Sequence, residues 1–195
     1  HWGRRIFEHD KGGNTLKVLL HICCAPCSIY SLKALRDEGM EVTGYFYNPN
    51  IHPYSEFLKR LLTLKNYAGL SLMPLIVDKE YNLINFLKGA MEYGRDRCIF
   101  CYQIRLEKAF KKALEGKFDA VTTTLLYSRY QRHEDIKNIG SQLSNNHNIP
   151  FIYKDFRIGW KEGIEESKRL NMYRQNYCGC IFSEYERYKE GQEVK

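Results

Sequence analysis

The side chains with the clearest chemical capacity in this 195-residue chain are seven cysteines, which fall in three short motifs. The motifs read HICCAPCS over residues 21–28, CIFC over 98–101 and YCGC over 177–180. An odd number of thiols cannot pair completely into disulfides, and such close spacings are typical of metal binding in a reducing compartment. We therefore predict a cytoplasmic protein whose metal ligands are Cys23, Cys24, Cys27, Cys98, Cys101, Cys178 and Cys180.

The number of thiols indicates an active centre rather than a structural one. A structural zinc ion takes four ligands, usually as two close pairs, and a four-iron cluster also takes four. Seven cysteines exceed either need and leave three that could hold a second metal, form a disulfide or act on a substrate. Such a surplus favours a catalytic metal site.

The elements that would position these cysteines alternate between apolar strands and amphipathic helices. Strands are predicted at 17–22, 42–47, 75–77, 118–124 and 151–153, and helices at 28–38, 55–69, 83–91, 98–116 and 134–144. This alternation predicts an α/β fold, a Rossmann-like three-layer sandwich with a mostly parallel sheet of about five strands and a C-terminal helical extension. We predict a single domain over 1–195, with an N-terminal extension at 1–15 and a helical segment at 163–195 that completes the metal site.

The first motif is predicted to lie where the first strand passes into the first helix, at the sheet edge where parallel α/β proteins bind ligands. Cys27 would lie near the helix N-terminus, which should lower its pKa. Cys98 and Cys101 would share one helix face, and Gly179 would let its two neighbouring cysteines turn toward one centre. The adjacent Cys23 and Cys24 are expected to point in different directions and to serve different metals.

Four segments of the chain together resemble the QueH family of epoxyqueuosine reductases. They are HICCAPCS at 21–28, GYFYNPNIHP at 44–53, RCIFC at 97–101 and YRQNYCGC at 173–180, and the resemblance extends from about Leu16 to Ser183. The expected fold is also similar to that of the PP-loop ATP pyrophosphatases. Cysteines fill the turn that binds phosphate in those enzymes, which argues against ATP chemistry at this place.

The resemblance implies the reductive removal of the epoxide oxygen of epoxyqueuosine at the wobble position of tRNA. It also implies a [4Fe–4S] cluster with one additional iron ion and no cobalamin. We expect a separate electron donor of the reduced ferredoxin or flavodoxin type. We expect Cys98 and Cys101, one of Cys23 and Cys24, and Cys178 or Cys180 to hold the cluster, and the remaining thiols to hold the iron. Tyr127 and His52 are the expected catalytic proton donors.

Charge and aromatic content fit an RNA partner. The net charge is +7, and the chain has 15 tyrosines. Two loops at 45–54 and 125–132 are expected to meet the tRNA, with rings stacking on bases and arginines contacting phosphates. The expected contacts are Tyr45, Tyr47, Tyr54, Tyr127, Tyr130, Arg129 and Arg132, with a basic path continuing through Lys154, Arg157, Lys161, Lys168, Arg169 and Arg174.

Three other functions are compatible with the cysteine pattern alone. A thiol–disulfide oxidoreductase would use Cys98 and Cys101 and would be colourless. A zinc-dependent RNA-binding module would contain zinc and show no redox activity. An electron-transfer subunit with a cysteine-rich cluster site would not need the tyrosine loops. No apolar run approaches the roughly 18 residues that would cross a bilayer, so we expect no membrane partner.

Overall fold

The computed structural model describes residues 15–189, which include all seven cysteines but almost none of the predicted extension at 1–15. Four parallel strands form one sheet in the order β3-β2-β1-β4. They are β1 (Lys17–His21), β2 (Glu41–Phe46), β3 (Leu75–Val77) and β4 (Ala120–Thr123).

Seven α-helices surround this sheet in the described part of the chain. The first three are α1 (Ala25–Asp37), α2 (Tyr54–Leu70) and α3 (Leu83–Glu92), and the last four are α4 (Arg97–Glu115), α5 (His133–His147), α6 (Trp160–Arg169) and α7 (Ile181–Lys189). Right-handed crossovers place α1 and α2 on one face and α4 and α5 on the other, because the chain moves from β1 to β3 in one direction and then returns to β4. The packing of α1 on α6 and of α4 on α5 fits these three layers.

The prediction of a fifth strand at 151–153 is wrong. Phe151 makes one isolated parallel bridge with Val121, while the Val121 N–H donates to the Pro150 carbonyl and the Ile152 N–H donates to the Val121 carbonyl. Pro150 has no N–H to donate, which prevents pairing before Phe151, and after it the Ile152 carbonyl accepts from the Thr122 hydroxyl at 2.8 Å. The contact therefore does not extend into a ladder. The sheet has four strands rather than about five.

The first helix begins at Ala25, three residues earlier than predicted. Pro26 lies in its first turn, where the fixed φ of proline suits a helix and its missing N–H leaves no helical hydrogen bond unmade. As a result, Cys24 is the N-cap and Cys27 lies inside the first turn. The second half of the first motif is therefore wound into the beginning of α1, whereas Cys23 and Cys24 precede it.

The middle of the sheet is fully buried. Val18, Leu19 and Leu20 of β1 are inaccessible to solvent, which explains why this strand reads as an uninterrupted apolar run. At the carboxyl ends of β1 and β4 the chain leaves toward opposite faces and opens a crevice, the usual ligand site of such sheets. Within residues 15–189, no helix combines the length and apolar character that a membrane span requires.

Candidate metal centre

The three cysteines of the first motif converge at the carboxyl end of β1. The sulfur atoms of Cys23, Cys24 and Cys27 all lie within 4.8 Å of one another, and those of Cys23 and Cys24 are 3.7 Å apart. The expectation that the adjacent pair would point in different directions is therefore wrong. Cys24 has extended backbone angles as the N-cap, and the chain turns into α1 directly after it, so both side chains face the same space.

Contacts with the end of β4 fix this group of thiols at the crevice. The Cys23 N–H donates to Oγ1 of Thr124 at 3.1 Å, and the same hydroxyl donates to the Cys23 sulfur at 3.4 Å. On the preceding residue of β4, the Thr123 hydroxyl lies 2.8 Å from Nδ1 of the buried His21. The two strands that border the crevice are thus joined by polar side chains directly beneath the thiols.

The three thiols share negative charge unequally. The pKa of Cys23 lies well below the ordinary value because Cys24 and Cys27 form hydrogen bonds with its thiolate. Burial raises the pKa of Cys24, and hydrogen bonds with Cys23 and Cys24 raise that of Cys27. The predicted lowering of the Cys27 pKa is wrong, because the thiolate form is favoured on Cys23 instead.

The second and third motifs supply the other four thiols. Cys101 is buried in α4, and Cys180 packs against the same small apolar cluster that contains Phe86. Burial raises the pKa of Cys101 to about 12, and the nearby Arg105 guanidinium opposes that rise. Cys98 is half-buried at the start of α4, and Cys178 is exposed. Cys180 adds to the rise in the pKa of Cys98, Cys101 and Cys178. Within residues 15–189, however, the first motif is the one group of three or more candidate ligands whose atoms lie within 4.8 Å of one another.

A buried arginine holds the backbone of the third motif. Arg60 of α2 donates from its two terminal nitrogens to the carbonyl oxygens of Cys178 at 2.8 Å and Tyr177 at 3.1 Å. Its Nε forms a 2.7 Å ion pair with Glu56, and its guanidinium lies 5.4 Å from the centre of the Tyr177 ring. The segment that contains Cys178 is therefore anchored to α2, although it lies outside any helix or strand.

A second buried arginine lies between the two groups of thiols. Arg105 is one helical turn after Cys101, and its guanidinium lies 3.7 Å from the Cys101 sulfur and 2.7 Å from Oδ1 of Asn48. Asn48 in turn donates to the Ile22 carbonyl at 2.9 Å, just before the first motif. Neither Arg60 nor Arg105 was expected at the site from the sequence. The spacing of four residues from Cys101 is the signal that could have identified Arg105.

Two glutamines that the sequence analysis also missed contact sulfur atoms. Gln175 donates from Nε2 to the Cys24 sulfur at 2.7 Å and lies 3.7 Å from that of Cys27. Gln131 donates to the Cys178 sulfur at 3.3 Å. Neither contact has a helical or strand spacing that would reveal it in the sequence.

His52, one of the two expected proton donors, is buried beside the third motif. Its backbone N–H donates to the Gly179 carbonyl at 2.7 Å, its carbonyl accepts from the Tyr177 hydroxyl, and its Nδ1 accepts from the Ile181 N–H at 3.3 Å. Burial lowers the pKa of the ring, which keeps it neutral near pH 7. His52 thus fixes the position of the loop that contains Cys178 and Cys180.

Tyr127, the other expected donor, lies beside the first motif. Its ring stacks on Trp160 with centroids 5.2 Å apart, and its hydroxyl donates to the Trp160 carbonyl at 3.1 Å. Burial, followed by the neighbouring Cys27 and Cys24, raises its pKa and keeps the phenol protonated. A Cβ on Gly163 would lie 2.3 Å from the Tyr127 hydroxyl, so this glycine makes room for it.

Three of the five tyrosines that were expected to stack on RNA bases are buried. Tyr45 is 0%, Tyr127 is 3% and Tyr47 is 9% exposed, because β2 is covered on both faces and Trp160 covers Tyr127. For these three the expectation is wrong. Tyr54 is 52% and Tyr130 is 83% exposed, and both keep a ring face available to a ligand.

The donor set fits a metal centre. Thiolate sulfur is a soft ligand, and metal–sulfur bonds of about 2.3 Å in a tetrahedral site place sulfurs about 3.8 Å apart. The first-motif sulfurs lie within 4.8 Å of one another, so only small movements of these side chains would give them the spacing of metal ligands. The buried guanidinium of Arg105 nearby favours an anionic occupant such as a metal–thiolate centre.

The sequence profile described as epoxyqueuosine reductase QueH matches residues 18–186, nearly the whole of the described chain. The chain belongs to the QueH family. The match spans every cysteine and both arginines described above. It confirms the resemblance found in the four sequence segments and identifies the chain as a member of a family of oxidoreductases.

Several proteins named epoxyqueuosine reductase QueH are similar to this member of the family. The one from Dehalococcoides mccartyi is 34% identical and covers 88% of this chain and 94% of its own length. The Thermotoga maritima protein is 34% identical, with 91% and 95% covered, and the Haemophilus influenzae protein is 38% identical, with 92% and 76% covered.

Similarity to solved structures is more remote. A structure described as a predicted subunit of tRNA methyltransferase from Methanocaldococcus jannaschii is 14% identical and covers 78% of this chain and 74% of its own, with a TM-score of 0.49. This value is too low to bear on function.

Removing the acid that neutralises Arg60 should destabilise the protein. Glu56→Ala leaves a buried guanidinium without its carboxylate, and we expect the free energy of unfolding to fall by about 3 kcal/mol. Glu165→Ala, in the exposed part of α6, should change it by less than about 0.5 kcal/mol. Urea unfolding of the metal-free proteins measures both. Equal stability of the two variants would contradict the proposed role of the ion pair.

Proposed function

We propose that this protein reduces epoxyqueuosine in tRNA to queuosine at a metal centre in the crevice between β1 and β4. The observation that carries this proposal is the convergence of three first-motif thiols at the crevice in a chain of the QueH family. A purely structural zinc site would not need four further cysteines beside it. The reaction would take place in the cytoplasm, where thiols stay reduced.

We propose that the two groups of thiols hold different metals. The short sulfur–sulfur distances among Cys23, Cys24 and Cys27 suit a single iron ion. The remaining four thiols match in number the ligands of a [4Fe–4S] cluster, and they are Cys98, Cys101, Cys178 and Cys180. This division replaces our expectation from sequence that Cys23 or Cys24 would serve the cluster, because their sulfurs face the same space as that of Cys27.

Converting the epoxide to an alkene breaks two C–O bonds, forms one C=C bond and releases the oxygen as water. The reaction consumes two electrons and two protons. When bound, the cluster and the iron would supply electron transfer and Lewis acidity without cobalamin. The electrons would come from a small reduced carrier of the ferredoxin or flavodoxin type. The task of the protein itself is to orient the nucleoside, exclude water and deliver protons.

Tyr127 is the proton donor that the geometry supports best. Its phenol is protonated, buried and close to Cys24 and Cys27, and its hydroxyl is held by one carbonyl, that of Trp160. A substrate oxygen that accepted from this hydroxyl would replace that single hydrogen bond. We propose His52 as the second donor, and its contacts with Gly179 and Ile181 also support a role in positioning the third motif.

The tRNA would approach across the loop at 128–132. Arg129 lies over the Trp160 ring at 5.3 Å, and the exposed Tyr130 meets the edge of the same ring at 6.2 Å. Gln131 follows directly and contacts the Cys178 sulfur. This loop therefore joins an exposed cation and aromatic ring to the thiols, as an enzyme that stacks a nucleoside beside its metal centre requires.

The division of thiols predicts different losses on Cys→Ser substitution. Cys98→Ser should remove most of the acid-labile sulfide and most of the iron, because it disrupts the cluster. Cys24→Ser should keep the sulfide and lose about one iron per chain. Iron and sulfide analysis after anaerobic reconstitution measures both. If Cys24→Ser loses sulfide to the same extent as Cys98→Ser, the two groups serve one cluster and the division is wrong.

Tyr127→Phe tests the proton donor and the activity together. The change keeps the ring on Trp160 and removes only the hydroxyl, so we expect a rate about 100-fold lower with unchanged iron and sulfide. Chromatography of nucleosides from epoxyqueuosine-containing tRNA, with a chemical reductant, measures product. A wild-type protein loaded with iron that forms no queuosine would overturn the proposed function. A variant within about twofold of wild type would overturn only the role of Tyr127.

The double variant Arg129→Ala/Tyr130→Ala tests the RNA surface. We expect tRNA affinity to fall about tenfold, since a phosphate contact and a stacking ring are lost. The slope of the logarithm of the binding constant against the logarithm of the salt concentration should decrease by about one. Lys65→Ala/Leu72→Ala removes a cation from the second half of α2 and an exposed apolar side chain at its end, and should leave both values unchanged. Filter binding at several salt concentrations measures them. Equal affinities of the two double variants would contradict this surface.

A further inference from the structure

The two buried arginines of the metal centre differ in how their charges are balanced. Both side chains are about 1% exposed. Arg60 has Glu56 at 2.7 Å, so that pair is neutral. Among residues 15–189, no carboxylate oxygen lies within 4.0 Å of the Arg105 guanidinium. Its Nε is also buried without a hydrogen-bonding partner in that part of the chain. Buried charges in proteins are paired or lie beside metal centres, so the charge of Arg105 requires a partner.

The neighbours of Arg105 identify that partner as thiolate. Its guanidinium lies 3.7 Å from the Cys101 sulfur, which belongs to one group of thiols. It also reaches the other group, because Asn48 links it to the residue before Cys23.

The hydrogen bond with Asn48 fixes this guanidinium between the two groups. Asn48 accepts from Arg105 at 2.7 Å and donates to the carbonyl of Ile22, the residue before Cys23. The helix α4 that contains Cys101 is thereby connected to the turn that contains the first motif. One rigid side chain sets both the charge and the spacing of the thiol groups.

We propose that Arg105 is a positioning residue that supplies the fixed positive charge of the metal centre and raises its reduction potential. This inference rests on the proposed function, since it assigns a role toward the bound metals. A cation near a redox centre stabilises the more negative, reduced state, so the centre accepts an electron more easily. Arg105 thereby allows a weaker external reductant to reduce the centre.

Two substitutions separate charge from shape. Arg105→Met keeps an unbranched side chain and removes the charge, whereas Arg105→Lys keeps the charge and loses the planar fork. Arg36→Met removes a surface arginine that donates to the carbonyls of Ser71 and Leu72, far from the cysteines along α1, and serves as the control. Each protein is purified anaerobically, and its metal-free and iron-loaded forms are compared.

The measurements are the midpoint potential of the loaded centre and the rise in Tm on metal loading. For Arg105→Met we expect a more negative potential and a loss of roughly half of the Tm rise, because the loaded form loses its counter-charge. Arg105→Lys should lie closer to wild type, and Arg36→Met should match it. In Arg105→Met, Asn48 loses the hydrogen bond from Arg105, which lowers the Tm of the metal-free and the loaded forms alike. The difference in Tm between the two forms therefore measures the effect of the lost charge.

Two results would overturn the inference, and they are distinguishable. If wild type takes up no iron, both the proposed function and the role of Arg105 are wrong. If wild type loads normally but Arg105→Met keeps the wild-type potential and the full Tm rise, only the role of Arg105 is wrong, and its contact with Asn48 is structural.

Discussion

The reversal of strand order between β1 and β4 is the constraint on which the site depends. Because the chain leaves these neighbouring strands toward opposite faces, their carboxyl ends border a crevice that no crossover covers. The first motif follows β1 into this crevice, and Thr124 at the end of β4 binds the backbone and sulfur of Cys23. The second motif begins α4, which leads back to β4. The topology therefore brings distant segments of sequence to one edge.

Buried charge determines how these segments stay together once they meet. The third motif lies in an irregular segment, and a carbonyl in such a segment has no helical or strand partner. Arg60 satisfies two of these carbonyls, and Glu56 balances its charge. Arg105 performs a similar task between α4 and the loop at Asn48, but its balance depends on the thiols themselves. The unbalanced buried charge of Arg105 therefore favours an anionic ligand at the metal centre. The three first-motif thiols alone would not indicate this.

The features of the fold and site that depend on hydrophobic periodicity or on the local spacing of residues could be predicted from the sequence. Runs of apolar and β-branched residues identified β1, β2 and β4, and the cysteine motifs identified the edge of the sheet at which the site lies. The fifth strand failed because only Phe151 pairs with β4, a result that depends on pairing rather than on composition. Tyr45 and Tyr47 were misjudged because burial of a strand on both faces depends on helices far away in sequence. Arg60 was missed for a related reason, since a buried arginine cannot be told from a surface one until its partners are known. Arg105 could have been identified, because it follows Cys101 by four residues.

The central claim of this account is that the seven thiols hold a cluster and a separate metal ion rather than a structural zinc. Metal and sulfide analysis of the wild-type protein, reconstituted and purified without oxygen, tests it most directly. We predict about five irons and about four acid-labile sulfides per chain, with a broad visible absorbance. A colourless protein with zinc and no sulfide, or one whose cysteines merely cycle between thiol and disulfide, would contradict the account.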